Sequence, residues 1–278
     1  MALERLPHLD DDGLVLPEFG AWAETKYRLI ANYSQMFATS MKEKWDMRVY
    51  LDLFAAAGRA RIKGGSEIIP TSATLALNVR DPFDRYVLCE IEPELLNALR
   101  ERCRRDGPSL DVRYVPGDCN AQVQRILGEI PARNALCFCV ADPRAISDLK
   151  FATIEALAGR FVDFLVLIPS YMDAHRNQDL YLAAENPIMQ EYLGDPAWRD
   201  DWKRSSGAAS REFGAFVVDR FGQAMKKLRY LYDGPDETVA IRDAGRLLYH
   251  LCFFSRSPLG RKFWHEARKY SQDQLTLL

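Results

Sequence analysis

The sequence lacks the patterns that mark several large classes of protein. It has no run of about 18 apolar residues that could span a membrane. Its first residues, MALERLPHLDDDGLVLPEFG, are acidic and contain prolines, whereas a secretory signal is basic and then apolar. We therefore expect a soluble, cytoplasmic protein with no membrane partner. The net charge of −2 gives no overall attraction for nucleic acid, so an anionic partner would need a local basic patch.

Several catalytic and metal-binding motifs are missing as well. The chain has no GxSxG, no phosphate-binding P-loop, no HExxH and no GxGxxG, which disfavours acyl-transfer hydrolases, phosphate-loop enzymes and nicotinamide enzymes. Its six cysteines show no CxxC spacing, and no histidines are paired at metal-ligand spacing. These spacings predict buried free thiols in a reducing compartment and no metal site.

Apolar runs alternate with helical patterns through the first 170 residues. Such alternation, with strands that are almost continuously apolar, is typical of a parallel sheet covered by helices on both faces. We predict an α/β fold with a doubly wound, mostly parallel sheet. The predicted strands are 49–54, 86–91, 112–115, 135–142 and 163–169, and the predicted helices are 22–44, 72–78, 93–105, 120–129 and 151–158.

The pattern changes after Ser170. Residues 171–207 are polar, contain prolines, Trp198 and Trp202, and lack strand patterning, so we interpret them as an inserted cap. A helix at 210–231, an antiparallel hairpin of 238–243 with 247–255, and a closing helix at 259–270 are predicted to follow. The predicted organisation is a 1–45 N-terminal extension and helix, a 46–170 cofactor-binding core, a 171–209 cap and a 210–278 segment that completes the core.

The most informative segment is YLDLFAAAGRA at 50–60, where a buried strand ends in small residues that allow the backbone to approach a ligand. In doubly wound sheets, nucleotides bind at such a turn at the carboxyl edge. Acids at the ends of four successive strands would line this same edge: Asp52, Glu90, Asp118 and Asp142. The alternative is that these acids cap the following helices. Together with the turn, they favour a site for an adenosine-containing cofactor.

The motifs DLFAAAGR, CEIEP, PGDC and VADP, in this order, resemble those of class I S-adenosylmethionine-dependent methyltransferases. Three further segments resemble the three-Cys-motif partner proteins, a bacterial methyltransferase-like family. These segments are WAETKYRLIANY at 22–33, YMDAHRN at 171–177 and LCFFSRSPLGRKFW at 251–264. The resemblance covers nearly the whole chain. It implies a methyltransferase-like Rossmann variant that binds S-adenosylmethionine.

Carried over by position, the resemblance implies roles for residues in each motif. Glu90 would bind the ribose, Ile91 would pack on the adenine, and Asp118 with Cys119 would meet the adenine edge. The residues implied along the methionine and ribose side are Asp52, Phe54, Ala56 and Gly58.

Two departures from the resembled patterns bear on function. Ala56 and Ala57 stand where the family usually has Gly and Pro, which places a methyl group in the turn. At the predicted transfer site, Asp142 and Pro143 are present, but Arg144 and Ala145 replace the aromatic residue that stacks a target base in amino-methyltransferases of nucleic acids. This lowers the expectation of base methylation.

The acceptor is not defined by any motif. Arg176 and Asn177, after the fifth strand, and Tyr192 and Trp198, in the cap, are the candidate substrate-binding residues, with helix capping and core packing as the alternatives. His250 is interpreted as structural. The basic residues around Arg102 are interpreted as a solvated helix face, although a nucleic-acid track stays open.

Two functions are therefore considered. The first is methyl transfer from S-adenosylmethionine to an unidentified protein, nucleic-acid or small-molecule acceptor. The second is a methyltransferase-fold accessory protein with little or no turnover that acts with a partner, since the family resemblance implies a neighbour similar to radical-cofactor proteins.

Overall fold

The computed structural model describes residues 5–206, 212–234 and 238–272. Its strands are β1 (Glu18–Phe19), β2 (Met47–Asp52), β3 (Arg59–Ile62), β4 (Ile68–Pro70), β5 (Arg85–Glu90), β6 (Val112–Pro116), β7 (Ala135–Ala141), β8 (Phe161–Ile168), β9 (Val239–Asp243) and β10 (Arg246–Phe254). Its α-helices are α1 (Ala23–Met41), α2 (Ser72–Leu77), α3 (Pro93–Asp106), α4 (Val123–Gly128), α5 (Phe151–Leu157), α6 (Gln178–Leu182), α7 (Ile188–Leu193), α8 (Trp198–Ser206), α9 (Phe213–Lys227) and α10 (Pro258–Gln272).

In the described residues, seven strands form the main sheet in the order β6-β5-β2-β7-β8-β10-β9. The five strands from β6 to β8 are parallel, whereas β10 runs antiparallel to both β8 and β9. The predicted doubly wound α/β sheet with an antiparallel C-terminal hairpin is therefore confirmed. The strand order reverses at β2, which places a crevice at the carboxyl ends of β2, β5 and β7.

Helices cover both faces of this sheet. Alternate residues of β2 separate the two cores: Val49 and Leu51 face α4, α5, α7 and α9, and Tyr50 faces α1, α2, α3 and α10. All six cysteines are buried and free, as predicted, and four of them lie in strands of the sheet. No helix in the described part of the chain is both long enough and apolar enough to cross a membrane.

A small second sheet was not predicted. β3 and β4 form an antiparallel hairpin, and β1 adds to β3 in parallel, whereas the sequence analysis predicted no strand at any of these positions. Strands of two to four residues are too short to show a periodicity. This sheet holds the N-terminal segment across the carboxyl edge of the main sheet, where Pro17, Glu18 and Phe19 reach the crevice.

The segment 171–206 does not form a cap above the crevice. Its helix α7 packs against α5 and α9 on one face of the sheet. The ring of Tyr192 lies 5.2 Å from that of Phe221, and the ring of Trp198 lies 6.1 Å from that of Phe213. The helices of this segment therefore extend the core, because their aromatic side chains find apolar partners on α9.

Candidate functional site

A cavity of about 920 Å³ lies at the carboxyl edge of the main sheet. Its floor is formed by residues at or after the ends of β2, β5, β6, β7 and β8, and the N-terminal segment and the start of α1 close one side. The volume is at the upper end of the range for small-molecule sites, which extends to about 1,000 Å³.

The turn after β2 is tied to the end of β5 by one carboxylate. Glu90 Oε2 accepts a hydrogen bond of 2.7 Å from the backbone N–H of Ala56, and its Oε1 accepts one of 2.9 Å from the N–H of Glu92. Glu90 lines the cavity although only 6% of it is exposed. A carboxylate has about four acceptor positions, so two remain for a ligand with paired hydroxyl groups.

Ala56 adopts a left-handed backbone conformation with φ of 51°. This region is costly for a residue with a Cβ atom and is favoured by glycine. Ala56 and Phe54 both line the cavity, so the turn presents its backbone and one aromatic ring to the cavity. The hydrogen bond to Glu90 holds the turn in this conformation.

Two residues assigned to the cofactor have other roles in this structure. Asp52 does not line the cavity: it is fully buried, and it accepts 3.1 Å hydrogen bonds from Phe54 N–H and from the Tyr50 hydroxyl. Burial raises the pKa of Asp52 to about 6, while hydrogen bonds from Ser72, Phe54 and Tyr50 oppose the rise. Asp52 therefore stabilises the turn after β2 through buried hydrogen bonds and does not face the cavity.

Gly58 is required by packing. A Cβ atom built on Gly58 would lie 2.8 Å from Thr74 Oγ1 on α2 and 2.9 Å from Leu99 Cδ1 on α3, and its φ of 80° is itself unfavourable for other residues. Gly58 does not line the cavity. It allows the chain after the turn to pass closely between two helices, which corrects the expectation that it lies along the cofactor.

The three residues assigned to an adenine edge lie together on the cavity lining. Ile91, Asp118 and Cys119 all line the cavity, and Ile91 is 59% exposed, which is unusual for a large apolar side chain at the end of a strand. Asp118 Oδ1 accepts two 2.9 Å hydrogen bonds from Asn120, through its backbone and side-chain nitrogens. The structure thus offers an apolar surface beside a fixed carboxylate.

On the other side of the cavity, Asp142 is paired with a residue that the sequence analysis missed. Lys26 Nζ, on α1, donates a hydrogen bond of 2.5 Å to Asp142 Oδ2. The Lys26 side chain is 3% exposed and that of Asp142 is 17% exposed. Pro143 lies beside them on the cavity wall. A buried ammonium group therefore fixes the predicted catalytic carboxylate.

A signal for Lys26 was present in the sequence. It is in register with Ile30, Tyr33 and Phe37 on the buried face of α1, so a charged residue interrupts an apolar stripe. Burying a charge is costly unless it is paired, and such a break in a stripe therefore indicates a partner from elsewhere in the chain.

Aromatic rings surround this ammonium group. The distances from Lys26 Nζ to the ring centroids are 4.5 Å for Tyr27, 5.5 Å for Trp22 and 5.6 Å for Phe19, within the range of cation–π contact. The Trp22 ring also meets Tyr249 of β10 edge-on at 4.9 Å. All four aromatic residues line the cavity.

The four predicted substrate residues are not brought to this site. Tyr192 and Trp198 are 0% exposed and belong to the core on one face of the sheet. Arg176 and Asn177 are exposed but do not line the cavity, and Asn177 instead begins α6 and donates a 2.6 Å hydrogen bond to Asp173. From this part of the chain, Pro169 and Met172 reach the cavity. The expectation for all four residues is corrected, and the alternative of core packing holds for Tyr192 and Trp198, whereas the Asn177 side chain makes no capping hydrogen bond.

Two other sequence interpretations have clear outcomes. His250 Nδ1 lies 2.8 Å from the Ser170 hydroxyl, and burial lowers the pKa of His250 to about 4, so this histidine is structural as predicted. Arg102, assigned to a solvated face, is 1% exposed. It donates to the Ala57 carbonyl at 2.6 Å and to both oxygens of Asp12, at 2.9 and 2.7 Å. Arg102 thus fastens the N-terminal segment to the turn after β2.

No family model matches the chain, and no curated protein sequence matches it significantly. Solved structures that resemble it include protein LPL1258 from Legionella pneumophila str. Philadelphia 1, with 13% identity over 89% of this chain and 90% of that one and a TM-score of 0.47. Another is magnesium protoporphyrin IX methyltransferase from Synechocystis PCC 6803 with bound SAH, with 7% identity, 88% and 90% coverage and a TM-score of 0.42. Cofactor-bound Rv0187 from MTB shares 15% identity over 82% of this chain and 79% of its own, with a TM-score of 0.42.

Identities and TM-scores this low carry no argument about activity. The topology observed in the chain itself defines its class, a Rossmann-like α/β protein with an antiparallel strand inserted near one edge of the sheet. What this protein does must be inferred from the residues of its own cavity.

Proposed function

We propose that the chain binds S-adenosylmethionine in the cavity and transfers its methyl group to an acceptor bound beside it. The proposal depends on three residues of the cavity lining. Glu90 ends β5, Asp118 follows the neighbouring strand β6, and the exposed side chain of Ile91 comes directly after Glu90 in the chain. A ribose diol fits the free acceptor positions of Glu90. An adenine ring fits the surface of Ile91, with Asp118 for its amino group.

The residues present also fit the remainder of this cofactor. In the turn after β2, Leu53, Phe54 and Ala56 line the cavity. β2 lies between β5, which ends at Glu90, and β7, which Asp142 follows. S-adenosylmethionine, when bound, supplies a methyl group already activated by its sulfonium charge. The protein then has to hold the acceptor in line at about 3–3.5 Å, which needs little acid–base assistance.

Calorimetric titration with S-adenosylmethionine and with S-adenosylhomocysteine tests cofactor binding. Glu90→Ala is expected to weaken binding more than Asp118→Ala, because Glu90 would lose hydrogen bonds to two hydroxyl groups, each worth about 1.5–3 kcal/mol with a charged acceptor. Glu94→Ala, an exposed carboxylate in the first turn of α3, is the matched control and should bind as wild type does. Absence of heat and of thermal stabilisation at millimolar concentrations of both ligands would contradict the proposal.

We also propose membership of the three-Cys-motif partner family, on the segments 22–33, 171–177 and 251–264. Its implied radical-cofactor-like partner and a cytoplasmic location remain proposals, as does the division of the chain into an N-terminal extension, a cofactor-binding core and a C-terminal segment. Co-purification of the tagged chain from its source organism tests the partner. Cofactor binding with a stable partner, but with no methyl transfer to any extract, would favour the accessory function over the enzyme.

A further inference from the structure

The acceptor half of the cavity contains groups that cofactor binding does not use. Lys26 binds only one oxygen of Asp142, and among the described residues no group donates to Asp142 Oδ1. The side chain is fixed by its partner, and it lies on the cavity wall. A fixed carboxylate oxygen without a donor is suited to accept a hydrogen from a ligand.

The hydroxyl group of Tyr249 is a second unused group. Tyr249 is 2% exposed and lines the cavity, but its hydroxyl has no hydrogen-bond partner in the described part of the chain. Leaving such a group unpaired costs about 1–3 kcal/mol in a buried site. A bound molecule with a polar oxygen near Tyr249 would remove this cost.

The cavity lining also contains aromatic and apolar side chains. The rings of Trp22 and Phe19 lie near Lys26, and Leu167, Pro169 and Met172 add apolar surface to the lining. Flat apolar walls with a few placed polar groups favour a planar ring, which binds between them with little loss of conformational freedom.

The charge of the cavity argues against a polyanionic acceptor. Its lining contains six carboxylates and two cationic side chains, and one of these cations is already paired with Asp142. The carboxylates are Glu18, Glu90, Glu92, Asp118, Asp142 and Asp148, and the cations are Lys26 and Arg144. A phosphate backbone close to this lining would be repelled, and the lining lacks the basic groups that bind one.

We propose that the acceptor is an uncharged aromatic ring bearing a hydroxyl group, held by Asp142 Oδ1 and the Tyr249 hydroxyl and packed against Trp22 and Phe19. This inference rests on the proposed function for the donor and adds the class of acceptor. Lys26 acts as a positioning residue, because it orients Asp142 and keeps a positive charge next to the acceptor oxygen.

A hydroxyl group fits this charge arrangement better than an amine does. As a hydroxyl oxygen takes the methyl group, its proton passes to Asp142, the carbon–sulfur bond of the donor breaks, and the electron pair of that bond stays on sulfur. The oxygen that loses its proton is stabilised by the adjacent Lys26 ammonium. An amine nitrogen would instead become positively charged beside Lys26, which would raise the energy of the transition state.

Three probes of nearly the same shape test the proposal: p-cresol, p-toluidine and p-xylene, each uncharged near neutral pH. Each probe is titrated calorimetrically into the full chain saturated with S-adenosylhomocysteine. We expect p-cresol to bind at least about tenfold more tightly than p-xylene, the ratio that one hydrogen bond to a charged group provides. With labelled S-adenosylmethionine, label should pass to p-cresol and not to p-toluidine.

The matched variants are Tyr249→Phe and Tyr192→Phe. Both tyrosines are buried with unpartnered hydroxyls, so neither substitution removes a hydrogen bond within the described residues, but only Tyr249 lines the cavity. Tyr249→Phe should reduce the preference for p-cresol over p-xylene by at least about threefold, and Tyr192→Phe should leave it unchanged. Lys26→Met should also reduce the preference for p-cresol over p-xylene. Lys42 is an exposed lysine at the end of α1, and Lys42→Met should leave the preference unchanged.

Four results would overturn the proposal. These are equal affinity for p-cresol and p-xylene, an equal effect of the two tyrosine variants, transfer of label to p-toluidine alone, and binding of DNA or RNA at low salt that p-cresol displaces. If S-adenosylhomocysteine itself fails to bind, the proposed site for the methyl donor is wrong. The three probes are then titrated into the protein without S-adenosylhomocysteine. The preference for p-cresol and its loss in Tyr249→Phe then still decide the acceptor class.

Discussion

The carboxylate of Glu90 binds the backbone N–H of Ala56 at 2.7 Å and so joins the turn after β2 to the end of β5. These two residues are 34 positions apart in the chain, but the turn that holds Ala56 follows β2, and β2 is the parallel neighbour of β5, which ends at Glu90. The hydrogen bond explains why a non-glycine residue tolerates a left-handed conformation at this point. It also means that the group proposed to bind ribose shapes the turn that lies against the cofactor.

Ala56→Gly should therefore stabilise the protein. Glycine adopts the observed φ of 51° without the steric cost, about 1 kcal/mol, that the Ala56 Cβ atom incurs there, and it keeps the N–H that Glu90 binds. Cofactor affinity should be unchanged or higher. Urea unfolding and calorimetric titration measure the two effects. The neighbouring Ala57→Gly is the control, and it should destabilise by about 0.5–1 kcal/mol; a clear loss of stability in Ala56→Gly would refute the interpretation of the turn.

Arg102→Met should destabilise the protein strongly. The substitution leaves the Ala57 carbonyl without its buried donor and, among the described residues, leaves Asp12 paired only with Arg105 and Arg59. The cost should therefore approach that of a broken buried pair, about 3–5 kcal/mol. Arg104→Met is the control, since Arg104 pairs with Glu101 on the exposed face of α3 and should contribute less than about 1 kcal/mol. Equal effects of the two substitutions in urea unfolding would show that the N-terminal segment is not held by Arg102.

Asp163→Asn should change how stability depends on pH. Burial raises the pKa of Asp163 from 3.8 to about 6, although hydrogen bonds from Ser255 and Tyr33 oppose the rise. The folded protein therefore binds this proton more tightly than the unfolded chain does. The unfolding free energy of wild type relative to the variant should fall as pH rises from about 4 to about 6, by about 3 kcal/mol for a shift of two units. Unfolding curves at several pH values would detect this trend, and a constant difference would contradict it.

Trp198→Ala should affect stability and leave ligand binding unchanged. Trp198 is fully buried against Phe213, and truncation of a buried tryptophan costs about 3–5 kcal/mol. Arg176→Ala, at an exposed position outside the cavity, should change stability by less than about 0.5 kcal/mol. Calorimetry at a temperature where both variants are folded should give wild-type affinity for the cofactor. Weaker cofactor binding by folded Trp198→Ala would place the segment 171–206 closer to the site than the structure does.

Local pattern accounts for the parts of the fold that were predicted. The apolar runs that became β2, β5, β7 and β8 are buried on both faces, so their composition alone indicates a parallel sheet covered by helices. Glu90, Ile91 and Asp118 could be placed at one edge because parallel strands end on the same side. By contrast, the strands of the small sheet are too short to leave a pattern.

The doubly wound sheet and the cavity wall made by Glu90, Ile91 and Asp118 follow from local periodicity, because periodicity indicates where each strand ends. The pairs Lys26–Asp142 and Arg102–Asp12 have members 116 and 90 positions apart, so they form only when the chain folds. Folding also places Tyr192 and Trp198 in the core and Tyr249 at the cavity. The local sequence does not distinguish an aromatic or charged side chain that is buried in the core from one that lines a site. Its role is decided by the partner that packing brings to it, and that partner comes from a distant part of the chain.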